Sequence, residues 1–460
     1  MKNLQHIKNV YFLGIGGIGM SALARYFKHT GRNVAGYDRT PTTLTNALND
    51  EGISVHFDDD IRNIPKNWDP ANTLAVFTPA LPDDHAELTW FREKPIALLK
   101  RAKVLGLICN ERSGIAVSGT HGKTTVSTMT ATILNKTEKG CGAFLGGISK
   151  NFDTNLLLPK EESPWIVAEA DEFDRSFLHL FPVLALVTSL DADHLDIYGH
   201  KEKIVESFEK FISQIQPGGK LVLKFGVELD KTKTTAQVFT YALNNNEADF
   251  TAVNLQLNGS GFYKFDIKTP AGLIENCKMT YPGLLNVENA IGAASLAYLA
   301  GASAGEIRAG LEEYKGVVRR FDIRYKNEKY LYIDDYAHHP EELKATITSV
   351  KELYKGKKVL GIFQPHLYSR TRDFATEFAE SLDLLDTAVI LPIYPAREEP
   401  IRGVTSEIIF RQMKSGDKYL LSKPELQELL QNKDFDIVMT MGAGDIDGQA
   451  GNIIEILKGK

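Results

Sequence analysis

The stretch Gly119-Thr120-His121-Gly122-Lys123-Thr124-Thr125 brings together the residue types that hold the phosphates of a nucleotide. Gly119 and Gly122 let the backbone close around an anion, Lys123 reaches the outer phosphates, and the Thr124 hydroxyl offers a ligand to Mg2+. The full G-x-x-x-x-G-K-[ST] pattern would need glycine at Val117, so this is a shortened variant. Such a loop works between a strand and a helix, because the free N–H groups and partial positive charge of a helix N-terminus face the anion. The neighbours meet that demand: Ile115-Ala116-Val117 is a short apolar run, and Val126, Met129, Ile133 and Leu134 recur at helical spacing.

Carboxylates arrive at two further strand ends. Trp165-Ile166-Val167-Ala168 leads to Glu169-Ala170-Asp171-Glu172, and the apolar run Val183 to Thr188 leads to Ser189-Leu190-Asp191-Ala192-Asp193-His194. An acidic residue after an apolar strand is what a Mg2+ site beside a phosphate loop requires. Taken singly, Asp171 and Glu172 read as solvated strand ends, and His194 gains weight only from its position. Residues 220–280 alternate apolar and polar and predict a peripheral antiparallel region. Pro282-Gly283-Leu284-Leu285-Asn286-Val287-Glu288-Asn289 then opens an alanine-rich helix whose two asparagines suit either adenine contact or helix capping.

A second glycine pattern lies near the N-terminus. Gly14-Ile15-Gly16-Gly17-Ile18-Gly19 is an intact G-x-G-x-x-G between the apolar run Asn9 to Leu13 and a helix from Met20 to His29. A strand over Asn33 to Tyr37 ends in Asp38. These features predict a Rossmann-like domain with a diphosphate on the helix N-terminus and Asp38 near a ribose. NAD and UDP both fit, so an NAD-dependent oxidoreductase stays open at this point. Thr78, after the apolar strand Leu74 to Phe77, falls on the same rim.

The C-terminal third alternates strands with helices. Apolar runs at Tyr330 to Ile333, Lys358 to Phe363, Thr387 to Leu391 and Asp436 to Thr440 predict another parallel, doubly wound sheet. Its loops carry Asp334-Asp335-Tyr336-Ala337-His338-His339-Pro340, Gln364-Pro365-His366-Leu367-Tyr368-Ser369-Arg370-Thr371-Arg372-Asp373 and Tyr394-Pro395-Ala396-Arg397-Glu398-Glu399-Pro400. All follow strand ends and should share one edge. Pro340 also marks a helix start. If the chain is extended through Arg370 and Arg372, both point the same way; if a helix has begun at Ser369, they diverge.

At 460 residues the chain is too long for one ordinary domain. The pattern predicts an α/β protein of three domains, over residues 1–110, 111–315 and 316–460. A net charge of −6 argues against a general nucleic-acid binder. No apolar run spans a bilayer and no basic start precedes an apolar core, so a cytoplasmic location without a membrane partner is expected. Cys109, Cys141 and Cys277 are far apart, without zinc spacing, and read as reduced buried thiols.

GTHGKTT resembles the ATP loop of the Mur ligases, which build the peptidoglycan precursor. DDYAHHP, QPHLYSRTRD and YPAREEPI resemble the branch that adds the first amino acid, L-alanine, to UDP-N-acetylmuramate, and Arg319-Arg320-Phe321 resembles the family's arginine pair at the hinge into the last domain. A sibling branch that recycles a tripeptide onto the same sugar acid resembles FEPRS where this chain has Phe363-Gln364-Pro365-His366. The resemblance runs from GIGGIGM to MGAGD.

It implies a Rossmann-like N-terminal domain for the UDP-sugar, a central P-loop domain for ATP, and a C-terminal doubly wound Rossmann-like domain for the amino acid. ATP would phosphorylate the lactyl carboxylate, and the amine would attack the acyl phosphate, in a monomer or homodimer. The UDP-sugar would rest on Gly14, Gly16, Gly17, Ile18, Gly19, Met20, Asp38 and Thr78. Asn286, Asn289, Arg320 and Asp335 would join residues 119–125 around ATP. Glu169 and His194, with Thr124, would hold two Mg2+ ions. Lys123, Glu169, His194, Arg320 and His338 would be catalytic, and His366 with Arg370 would hold the amino acid's carboxylate. Leu285 stands where relatives commonly carry histidine, and Leu367 where they often carry arginine.

Overall fold

The computed structural model describes residues 4–190, 200–258, 262–396 and 398–460, so Asp191, Asp193, His194 and Arg397 lie outside the described residues. Two compact units emerge: Met1–Gln256 with Lys264–Thr280 and Val287–Lys315, and Leu257–Tyr263 with Tyr281–Asn286 and Gly316–Lys460. Three sheets run through them. Among the described residues no helix is long and apolar enough to cross a membrane. All three cysteines are free and buried, and burial pushes each thiol up.

The first unit opens with β1 (Asn9–Leu13), β2 (Asn33–Tyr37), β3 (Ser54–His56), β4 (Thr73–Phe77) and β5 (Ala97–Lys100), all parallel in the order β3-β2-β1-β4-β5. Every residue of β1 is buried, as expected of a parallel strand covered on both faces. Strand order reverses beside β1, the topological switch where such sheets bind ligands. Leu13 is in register with Tyr37 and Phe77, so Gly14, Asp38 and Thr78 leave the sheet along one edge.

The second sheet begins with β6 (Ser113–Ser118), β7 (Gly142–Ser149), β8 (Thr154–Leu157), β9 (Trp165–Glu169) and β10 (Leu184–Val187). It continues through β11 (Lys220–Lys224), β12 (Gln237–Ala242), β13 (Phe250–Leu257), β14 (Tyr263–Thr269) and β15 (Gly272–Met279), in the order β15-β14-β13-β12-β11-β10-β6-β9-β7-β8. β10, β11, β12 and the start of β13 pair parallel, which corrects the antiparallel expectation for residues 220–251. Alternation reports which side of a strand is covered and carries no information on strand direction. Val117 is in register with Glu169, and Ser118 with Val187, so residues 119, 169 and 188 meet at one edge. The expected boundary near residue 110 falls inside this unit. There the helix Ile18–His29 packs on β7 and β8, Phe27, Phe144 and Leu156 share one apolar core, and Asn155 bonds Arg25 and the Ile18 carbonyl, each at 2.6 Å.

A polar cluster is buried in the first sheet. The Tyr11 hydroxyl donates to Glu87 at 2.7 Å and meets His56 Nε2 at 2.7 Å, and Glu87 is fully buried. Burial pushes the Glu87 carboxyl from the ordinary 4.5 to about 7; the Tyr11 hydrogen bond opposes this and the Asp59 charge adds to it. A carboxyl raised in the folded state favours folding below its unfolded value, and that contribution is lost as pH rises through about 7. The shift corresponds to roughly 3 kcal/mol lost across that window. Glu87→Gln should therefore shrink the difference between melting temperatures at pH 5 and pH 8; an undiminished difference would refute the assignment.

The second unit holds β16 (Asp322–Lys326), β17 (Leu331–Asp335), β18 (Val359–Phe363), β19 (Thr387–Ile390), β20 (Lys418–Leu420) and β21 (Ile437–Met441) in the order β16-β17-β21-β18-β19-β20. Only the edge strand β16 is antiparallel. Asp335, Met441, Phe363 and Ile390 stand in register, so the loops after β17, β21, β18 and β19 do begin at one edge. Asp334 and Asp335 belong to β17 rather than to the following loop, and both are buried.

Candidate active site

β6 gives way to the phosphate loop at Gly119, whose φ is +123° and where a Cβ would lie 2.1 Å from the Thr188 hydroxyl. Only glycine fits there. Gly122, left-handed at φ +81°, caps the helix Lys123–Leu134 without a side-chain cap bond, so the helix N-terminus faces the loop. The loop is tied down from β10: Thr120 N donates to the Ser189 carbonyl at 3.2 Å, His121 N to Ser189 Oγ at 3.1 Å, and the Thr188 hydroxyl to the His121 carbonyl. Thr124 and Thr125 are buried in the first turn. Asn289 lies against the loop, its Oδ1 2.9 Å from where a Cβ on Gly122 would be. Asn286 Nδ2 donates to the Pro282 carbonyl at 2.7 Å, a bond back to the turn that precedes its helix.

Lys123 Nζ donates to the Gly119 carbonyl at 2.8 Å and to Glu172 Oε1 at 2.9 Å. The Glu172 side chain is 1% exposed, which corrects its reading as a solvated strand end; Asp171, at 36%, keeps that description. Burial works against the charge on Lys123, yet Glu172, Asp171 and Glu169 together outweigh it and hold the ammonium above its ordinary value. Burial likewise pushes the Glu172 carboxyl up, and Lys123 draws it back.

The first glycine loop is braced by its own acid. Gly16 N donates to Asp38 Oδ2 at 2.7 Å, so Asp38 shapes the turn. Gly14 packs on Thr78, whose Cγ2 lies 2.5 Å from where a Cβ would be. Gly17 is the N-cap of the helix that carries Ile18, Gly19 and Met20, again without a side-chain cap bond.

In the second unit Arg319, at φ +62°, donates to the carbonyls of Gly442 at 2.6 Å and Gly444 at 3.1 Å. Arg319 thus secures the turn after β21, while Arg320 lies 3.5 Å from Glu342; both guanidiniums stand 5.1 Å from the Tyr336 ring centre. Asp335 accepts from Phe321 N at 2.6 Å and Ala337 N at 2.7 Å, and burial pushes its carboxyl up to about 6 against the Arg320 charge. Its oxygens brace backbone here, a use that its expected place at ATP did not foresee. His338 sits 3.2 Å from Glu342, its ring 6.1 Å from that of His366, which stacks on Tyr394 at 5.9 Å. The helix begins at Tyr368, so the two arginines diverge: Arg370 is 8% exposed, whereas Arg372 is on the surface, bonded to Asp373.

Three family models match this chain: the Mur ligase family catalytic domain over residues 9–113, the Mur ligase middle domain over 117–297, and the Mur ligase glutamate ligase domain over 319–444. UDP-N-acetylmuramate–L-alanine ligase of Phocaeicola vulgatus is 48% identical over 457 residues, 99% of each chain. The chain belongs to the Mur ligase family. Among solved Mur ligases, UDP-N-acetylmuramate–alanine ligase of Thermotoga maritima superposes with a TM-score of 0.82 at 27% identity, covering 98% of this chain and 99% of that one. A murein peptide ligase from Psychrobacter arcticus shares the fold, with a TM-score of 0.72 at 22% identity over 98% of each chain. The three-domain α/β architecture read from the sequence is that of these Mur ligases.

Two residues of this Mur ligase escaped the sequence reading. One is Glu172. The other is Arg101, which directly follows β5 on the ligand edge; its Nη1 lies 2.8 Å from where a Cβ on Gly19 would be, and Nη2 is 3.8 Å from Asp171. Recognising β5 as a strand would have exposed Arg101. For Mg2+, the donors fit: the Thr124 hydroxyl and Glu169 carboxylate are hard oxygen ligands. Glu169 lies in a slot that Gly146 leaves open, since a Cβ there would be 2.0 Å from Oε2. Among the described residues no group of three His, Cys, Asp or Glu is arranged for a metal, and His194 lies outside them.

Proposed function

We propose that this protein joins L-alanine to the lactyl carboxylate of UDP-N-acetylmuramate, with ATP as the phosphoryl donor and an acyl phosphate as the intermediate. The observation that carries the reading is 48% identity over 99% of a ligase named for that reaction, with the phosphate loop intact. A carboxylate is a poor acyl donor, so activation must come first. Two anions, the substrate carboxylate and the γ-phosphate, have to meet against their repulsion, and Lys123 supplies positive charge where they do. Thr124, Glu169 and His194 would hold Mg2+, which would supply further neutralisation of the phosphates. The N-terminal part, residues 1–110, takes the UDP-sugar on its glycine loop; residues 111–315 take ATP, and residues 316–460 the amino acid. Arg320, His338, Asp335, His366 and Arg370 keep the roles the family resemblance gives them.

The test is phosphate release with UDP-N-acetylmuramate and ATP across the common amino acids, glycine and L-serine included. Release with L-alanine that needs all three substrates is the expected result. Release with a murein tripeptide but not with L-alanine would overturn it. Asp38→Ala should weaken UDP-sugar binding about tenfold, because Gly16 N loses the acceptor that shapes its turn, and should spare ATP binding. Calorimetric titration with each ligand measures both; equal loss of both would contradict the assignment of two separate loops.

A further inference from the structure

The segment that carries Glu172 is held in a costly conformation. Asp174 and Arg175 follow at φ +52° and +53°, two successive non-glycine residues in the left-handed region. L residues adopt this conformation rarely, and it persists only where its surroundings demand it. The demand is visible: Arg175 N donates to the Glu172 carbonyl and Phe177 N to the Asp171 carbonyl, each at 2.9 Å, and buried Phe177 stacks on Phe211 at 4.9 Å. The turn delivers one carboxylate, 1% exposed, to the ammonium of the phosphate loop at 2.9 Å. Asp171, one residue away, stays at the surface.

An ammonium meant for the outer phosphates of a nucleotide is thus already engaged by a buried anion of the protein itself. We propose that Glu172 is a positioning residue that acts through Lys123. In the nucleotide-free protein it holds the ammonium in the loop, and nucleotide binding exchanges this carboxylate for a phosphate on the same nitrogen. The proposal rests on the assignment of ATP to this loop. Its consequence is a reversal of the usual effect of disrupting a site. Removing the charge of Glu172 removes a competitor, so nucleotide should bind more tightly. A purely structural pair predicts unchanged or weaker binding.

The experiment is calorimetric titration with the imido analogue of ATP at saturating Mg2+, on the full chain. Glu172→Gln should bind roughly five- to tenfold more tightly than wild type, the size of a modest coupling between two ligands of one group. Glu172→Asp, which keeps the charge, should stay within about twofold of wild type. On a Lys123→Met background the Glu172→Gln change should have no effect, since the two residues act as one unit. Unchanged or weaker binding by folded Glu172→Gln overturns the exchange, as does an equal gain on the Lys123→Met background. Should Glu172→Gln fail to fold, the Lys123 Nζ proton signal of the wild type must move when the analogue binds, and an unmoved signal overturns the proposal. Failure of the wild type to bind the analogue at all would instead remove the ATP assignment itself, and the exchange with it.

Discussion

Lys123→Ala is expected to lower phosphate release by on the order of a hundredfold or more, the effect of losing one preorganised charge partner of a transition state. The structure adds a second effect. Deletion of the ammonium leaves Glu172 buried without its countercharge at 2.9 Å, and breaking a buried pair in this way costs about 3–5 kcal/mol. The melting temperature should fall together with the rate. Lys123→Met combined with Glu172→Gln removes both charges and should recover most of the stability while turnover stays low. The pair of measurements separates chemistry from folding. Near-normal turnover in a folded Lys123→Ala protein would end the assignment of this loop to the transferred phosphate.

Arg370→Lys should raise the KM for the amino acid roughly tenfold, about one charge-assisted hydrogen bond, and leave the KM values for ATP and the UDP-sugar almost unchanged. A guanidinium offers a carboxylate two parallel N–H groups, which an ammonium cannot reproduce. Arg370 is buried behind the end of β18, in the helix Tyr368–Asp373, whose start is anchored by Glu398 accepting from Ser369 N at 2.9 Å. Leu367 precedes it at φ +72° and turns the chain sharply between His366 and the helix. Arg372, spent on Asp373 at the surface, is the control. If Arg372→Lys raises the amino-acid KM and Arg370→Lys does not, the carboxylate belongs to Arg372.

The positions of these groups were legible to unequal degrees. β1, β2 and β9 stood out because strands buried on both faces read as unbroken apolar runs, and the glycines stood out because tight turns and close approaches need them. The gathering of the C-terminal loops followed from parallel pairing, which sends every strand end to one edge. The partner of Lys123 was not legible. Asp171 and Glu172 are adjacent acids after the same strand, and which one turns inward is decided by the left-handed residues beyond them and by Phe177 packing on Phe211. Asp335 likewise bonds backbone N–H groups of residues 321 and 337, and the bond to residue 321 depends on how the chain crosses into β16. The direction of β11 and β12 was lost because alternation is the same in either orientation.

The helix behind the phosphate loop is enclosed by its own protein. Every residue from Thr124 to Leu134 is buried, and beyond the first turn Thr128, Thr130 and Thr132 satisfy their hydroxyls on carbonyls one turn back, at 2.7 Å for Thr128 and 2.8 Å for Thr130 and Thr132. On its far side Gly310 approaches so closely that a Cβ would lie 2.5 Å from Ile133 Cα. An inhibitor that competes for this loop would press on a segment with little freedom to vary. Resistance through this helix would have to preserve the core that surrounds it, and an exchange that repelled the drug by bulk or charge would unseat the fold before it spared the enzyme. Escape routes should therefore concentrate in residues that reach the loop from outside the helix, Asn289 among them.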